Sequence, residues 1–400
     1  MKISKKCLTL HLYRRDEVLA AMRWAIITRN LHEAIFWGLE LFDSDMEQDA
    51  LEMLEFTWIT QIGFGSFSFL RQILSIYKSS ELDRNSWINL LYSLTTLKIH
   101  DSTAYYLLIR GTTTGSDWIP RFSHKITYVT LIDALKDTLK RGKLLEAWLI
   151  SRAIDTREQW SILENIASQQ SRQEALAELR SSKLSLYEQL AAAFVLVSLD
   201  DKRWLAANEP LNKKDLPSEV KSSIDEWNAE ESLRLRRVYK IRPEALLHLT
   251  QRSQQANTDS SEPDILDDLL QNLFDSSHWT NIIDGYLDDD GNWKSDLYQE
   301  MFYSTYFPFA TCDIPDEWSL ADREKSHGRG LGRSEESSLK RFLDTILQRS
   351  TRLGVWNYIK VENYKDTEWS KHYEELRETC SLSLEGLLPL KPVIKSFEIY

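Results

Sequence analysis

Apolar residues begin to recur at helix spacing from Arg14 onward, with Val18, Leu19, Met22, Ile26 and Ile27 on one face. Asp16 and Glu17 fall in the first turn, where the helix dipole favours acids. Arg29 and Asn30 read as the turn out of this helix, and a second runs from Leu31 to Phe42. Asp43, Ser44 and Asp45 close it and offer caps for a third helix from Met46 to about Gln61.

The helix pair is expected to recur. Ile88, Leu91, Leu94 and Leu97 repeat the frame of Val18, Ala21, Trp24 and Ile27 at an offset of about 70, and Thr103 to Tyr106 stand where Glu33 to Phe36 stood. In a third copy Leu131 and Ala134 echo Val18 and Ala21, and Leu144, Glu146 and Ala147 echo Leu31, Glu33 and Ala34. A small residue in this frame lets two helices approach closely while large apolar neighbours fill the groove. The uneven spacing predicts an irregular array of antiparallel helix pairs, not a consensus solenoid. Further helices are expected over Ser161–Gln170, Arg172–Arg180 and Leu184–Leu199. The last is apolar nearly all round, which predicts a central position in a core.

The pattern changes after this helix. Asn208 to Pro217 carries two prolines and reads as a linker, and a helix from Pro217 to about Tyr239 ends in a basic tail of Arg234, Arg236, Arg237, Lys240 and Arg242. No Lys or Arg occurs from Ser253 to Trp293, where Asp264–Phe274 reads as a short acidic amphipathic helix. Tyr298, Phe302, Tyr303, Tyr306, Phe307 and Phe309 then crowd one stretch, with burial in a core as the default expectation. A helix is expected from Ser334 through Ser350, and residues 387–393 should be extended. The fold class expected is therefore all-α: an irregular helix-pair array with a less regular, aromatic-rich C-terminal domain. The domain expectation is residues 1–205 for the array, 206–262 for the linker and basic helix, and 263–400 for the C-terminal domain.

Composition supports helix, since Gly and Pro number only 13 and 9 in 400 residues. The net charge of −12 disfavours general nucleic-acid binding, which needs a basic face, and fits protein partners. Cys7, Cys312 and Cys380 lie far apart without metal-knuckle or redox spacing, as expected of reduced thiols. The apolar stretch after the basic start is broken at His11, Arg14 and Arg15, too soon for a signal-peptide core, and no stretch approaches a membrane span. The expectation is a cytoplasmic protein.

No catalytic, cofactor or metal constellation emerges. Gly111 to Ser116 suggests a phosphate loop but lacks the lysine. Asp288-Asp289-Asp290-Gly291-Asn292 suggests a calcium loop, but neither register places both Gly and the closing acid correctly, so a turn is expected. His32-Glu33 has no second His at metalloprotease spacing. The one stretch with phosphate-binding character is Lys325 to Arg333, where Gly alternates with basic residues. Lys325, Arg329 and Arg333, with Arg234, Arg236 and Arg237, are the candidate phosphate or nucleic-acid contacts.

The segment from Arg14 to Phe56, above all Met22-Arg23-Trp24-Ala25-Ile26-Ile27-Thr28-Arg29-Asn30-Leu31-His32-Glu33-Ala34-Ile35-Phe36-Trp37-Gly38-Leu39-Glu40-Leu41, resembles helical proteins of large nucleocytoplasmic DNA viruses. The resemblance extends to Ile314–Ser319 and Lys325–Gly328. The first segment is also similar to the helical C-terminal domain of clamp-loader-related ATPases, over about one tenth of the chain and without an ATPase motif. The viral resemblance implies an origin, and within it the lack of catalytic motifs, the Trp-rich helical array and the acidic balance favour a non-catalytic structural or interaction protein, a virion component or assembly scaffold with other virion proteins as partners, in the host cytoplasm or virion. The alternative it leaves open is an accessory replication or transcription factor contacting nucleic acid through the basic residues above.

Overall fold

A computed structural model describes residues 7–11, 13–79, 82–97, 101–113, 131–211 and 276–306, with isolated positions between 216 and 273. The described residues are 74% helix without strands, so the protein is all-α as the periodicity predicts. The helices are α1 (Arg15–Ile27), α2 (Leu31–Phe42), α3 (Glu47–Thr57), α4 (Phe67–Ser79), α5 (Arg84–Thr96), α6 (Thr103–Thr113), α7 (Leu131–Lys140), α8 (Leu144–Ser151), α9 (Thr156–Gln169), α10 (Gln173–Ser181), α11 (Leu186–Ser198), α12 (Asp201–Ala207), α13 (Ser277–Ile283) and α14 (Asp296–Tyr306). Contacts divide the chain into two compact units that interleave in sequence. The first takes Met1–Ala50, Asp83–Thr96 and Lys214–Tyr364; the second takes Leu51–Leu82, Leu97–Lys213 and Lys365–Tyr400.

The first unit is built on α1, α2 and α5. The turn between α1 and α2 is short because Arg29 adopts φ 57°, and the Asn30 side chain then caps α2 by accepting from the Glu33 N–H at 3.2 Å. Trp24, Trp37 and Trp87 are buried where these helices meet. At roughly 25 cal/mol per Å² and roughly 200 Å² each, their burial contributes on the order of 5 kcal/mol apiece before entropy is counted. Gly38 of α2 lies in close contact with α5. The Trp87 indole donates to the Gly38 carbonyl at 2.8 Å, and a Cβ at Gly38 would lie 2.1 Å from Leu91 Cδ1. A side chain at this position requires Leu91 to move.

A strap at residues 7–14 closes over α2. It turns back on itself through the Leu8–Arg14 bridge and is held by the Leu10 N–H on Ser44 Oγ at 2.8 Å. The His11 backbone N–H and ring Nδ1 meet the two Glu40 carboxyl oxygens at 3.0 and 2.6 Å. Burial opposes a charge on Glu40, but the adjacent His11 and hydrogen bonds from His11 and Thr9 outweigh it and hold the carboxyl below its ordinary range. The pair gives a charged side chain in the α2 core stripe its only affordable environment.

The second unit is centred on α11, as its all-round apolar surface predicts: every residue from Leu190 to Val197 is buried. A capping box starts this helix, with Ser185 Oγ accepting from the Glu188 N–H and the Glu188 carboxylate accepting from the Ser185 N–H. Its C-terminal carbonyls are gathered by Arg172, whose side chain is 1% exposed. The guanidinium donates to the Leu196 and Leu199 carbonyls, each at 2.8 Å, and to Asp201 at 3.0 Å, with Trp204 stacked 5.7 Å away. Around α11 pack α6, α8, α9 and α10.

The structure departs from the sequence pattern in two places. The helix expected from Met46 to about Gln61 does run that far, but beyond Thr57 it widens into a π turn over Trp58–Ile62. There the Thr57 and Thr60 hydroxyls bond back to the Met53 and Phe56 carbonyls, and the Trp58 indole reaches the Ser66 carbonyl at 3.0 Å. Gly63, at φ 46°, then ends the element against the Asp101 carbonyl, 2.2 Å from where a Cβ would stand. The second expected helix pair is also split. α5 packs on α2 and α1 in the first unit, whereas α6 packs on α11 and the π turn in the second. The first and third copies, α1–α2 and α7–α8, do pair as expected.

Candidate functional site

Among the described residues, one candidate contact surface is built by α13, the turn after it, and α14. Trp279 of α13 is buried and donates its indole N–H to the Thr9 carbonyl at 2.9 Å, which fixes this segment to the strap. The turn closes through the Leu287–Trp293 bridge. Within it, Asp288 Oδ1 accepts from the Asp290 and Asn292 N–H groups at 3.0 and 2.8 Å, so the acidic run is an Asx-type turn. Phe302 of α14 is fully buried, with ring centres at 5.3 Å from Tyr286, 5.4 Å from Trp293 and 5.3 Å from Tyr306. These edge and tilted contacts hold α14 in one rotational setting.

That setting points a second apolar row outward. Leu297 is 62% exposed and Met301 47%, one helical turn apart, with Tyr298 at 40% beside them. Asp296 and Glu300 are also exposed and one turn apart, so an acidic row runs alongside the apolar one. Lys294 Nζ is tied back to the Gly285 carbonyl at 2.8 Å and lies 5.6 Å from the Tyr298 ring centre. From 276 to 306 the chain carries six exposed acids against this one lysine, so the segment's own field is negative.

Elsewhere the notable ionisable group is Glu55, in the second unit. It is 1% exposed and falls in the same helical register as Leu51, Leu54 and Trp58. One oxygen accepts from the Lys183 N–H at 2.8 Å; the other is buried without a partner, as is the Tyr77 hydroxyl. Burial pushes the carboxyl up to about 7; Glu52 and Glu188 add to the rise, and the Lys183 N–H and ammonium oppose it. The Tyr77 hydroxyl is also pushed up, by burial and by Glu55 and Glu52. His278, beside Trp279, is pushed down by burial against the opposing pull of Asp45 and Glu40. A groove of about 260 Å³ between α9 and α10, lined by Glu164, Leu176 and Arg180, is bridged by the Glu164–Arg180 ion pair. Among the described residues no three His, Cys, Asp or Glu side chains are placed to hold a metal, and no helix is long and apolar enough to cross a membrane.

The sequence-derived contacts Lys325, Arg329, Arg333, Arg234, Arg236 and Arg237 lie outside the described residues, as do Cys312, Cys380, Phe307 and Phe309. The aromatic stretch beginning at Tyr298 divides: Phe302 is core, as expected by default, and Tyr298 is exposed. Sequence reasoning did not single out Glu40 or Glu55. The available signal was an acid inside an apolar helical row, between Leu39 and Leu41 for the first and one turn from Leu51 for the second. No protein family, curated protein or solved structure matches this chain.

Proposed function

We propose that this chain is a non-catalytic interaction protein, a scaffold on which other proteins assemble. The observation that carries the reading is the outer face of α14, where Leu297, Tyr298 and Met301 are exposed on a helix whose buried Phe302 is held by Tyr286 and Trp293. Single exposed apolar side chains are ordinary on protein surfaces, but an apolar row on a fixed helix is the arrangement that helix-recognition interfaces use. The acidic balance of the chain supports protein partners over phosphate backbones. The resemblance of residues 14–56 and 314–328 to viral helical proteins makes a virion component, in the host cytoplasm or the particle, the assembly in which we place it.

A second reading is an accessory replication or transcription factor. The basic residues Arg234, Arg236, Arg237, Lys325, Arg329 and Arg333 favour it, because arginine and lysine runs supply phosphate contacts. Affinity capture of the full-length protein from its native lysate at moderate salt, with and without nuclease, separates the two. Structural proteins retained after nuclease support the scaffold. Loss of all partners on nuclease treatment moves the assignment to the nucleic-acid factor.

A further inference from the structure

We infer that the outer face of α14 receives a basic amphipathic helix from a protein partner. Apolar side chains of that helix would cover the Leu297–Met301 row, and its Lys or Arg edge would meet Asp296 and Glu300. The inference rests on the docking reading above and adds the chemistry of the occupant.

Three features select this occupant. The exposed strip is narrow, one apolar row and one acidic row on a single helix, and it matches the row spacing of another helix better than a broad flat surface. α14 is a helix, so it offers no strand edge for a strand to join. The charge beside the apolar row is one-sided. Asp284, Asp288, Asp289, Asp290, Asp296 and Glu300 are exposed within the segment, and its single lysine is engaged with the Gly285 carbonyl and the Tyr298 ring. That field repels nucleic-acid phosphates, anionic lipid and the same face of a second copy, and it attracts a cationic edge. Leu297 supplies the most exposed apolar contact and Tyr298 a rigid, partly polar one, the kinds of side chain that anchor interfaces.

The test places a photo-reactive benzoylphenylalanine at Leu297 of the full-length chain, in the cells that naturally make it, with the same group at exposed Glu158 of α9 as control. After irradiation, cross-linked peptides are sequenced by mass spectrometry. The expected result is enrichment at Leu297 over Glu158 on peptides with apolar residues at helix spacing and Lys or Arg along one edge. Adding Asp296→Lys and Glu300→Lys should cut the yield about tenfold, with circular dichroism unchanged. Enrichment on peptides without a basic edge, on lipid or on nucleic acid overturns the partner chemistry while leaving α14 a contact surface. Yields no higher at Leu297 than at Glu158 overturn the docking reading and this inference together.

Discussion

Replacing Glu55 by Gln removes an ionisable group from the second unit and leaves its shape nearly unchanged. The Gln carbonyl can still accept the Lys183 N–H that Glu55 accepts at 2.8 Å. Burial raises the Glu55 carboxyl from an ordinary 4.5 to about 7, so the folded state holds this proton more tightly than the unfolded chain does. The stabilisation from the neutral form is therefore fully present below pH 4.5 and is lost as pH rises through 7. At about 1.4 kcal/mol per pKa unit, the loss by pH 8.5 is on the order of 3 kcal/mol. Because Glu55 is 1% exposed, solvent screening reduces this figure little. Glu55→Gln should match the parent below about pH 4.5 and exceed it by up to about 3 kcal/mol at pH 8.5. Hydrogen exchange of peptides covering 182–198, read at both pH values, reports the second unit directly. The same pH dependence in parent and variant would refute the burial argument, since no other group is altered.

Gly38→Ala forces a Cβ to 2.1 Å from Leu91 Cδ1, and should cost roughly 1–3 kcal/mol in thermal unfolding, with partial recovery when Leu91→Ala is added. A Gly38→Ala protein as stable as the parent would contradict the close α2–α5 crossing. Arg172→Met leaves the Leu196 and Leu199 carbonyls without their donor and should cost about 2–3 kcal/mol. Its signature is faster hydrogen exchange at the C-terminal end of α11, where a merely electrostatic role for Arg172 would leave protection intact.

The helices were legible wherever one periodic row decided burial. Val18, Met22 and Ile26 gave α1, and Leu190 to Val197 gave the central α11, because a helix apolar on all sides has no solvent-facing option. The pairing of the second copy was not legible. Leu91 and Leu94 fit the repeat frame, but the partner of α5 is chosen by Gly38 and the Trp87 indole, a tertiary fit that spacing alone does not encode. The π turn after α3 goes with hydroxyl back-bonding one turn away at Thr57 and Thr60 and with the approach of Asp101 to Gly63, and only the last of these is a contact distant in sequence. On α14 both Phe302–Tyr306 and Leu297–Met301 read as apolar rows. Only the aromatic cluster with Tyr286 and Trp293 determines which row faces inward, and hence where the candidate surface lies.

Quantitative co-purification of the full-length protein and its Leu297→Asp, Met301→Asp variant from nuclease-treated native lysate reads the role of the α14 outer face. Circular dichroism and thermal unfolding serve to confirm that the variant folds. The account predicts a set of protein partners retained by the parent and depleted at least tenfold by the variant, as expected when an apolar anchor is replaced by charge. Equal recovery of every partner by a folded variant would contradict it, and would leave the outer face of α14 as ordinary exposed surface.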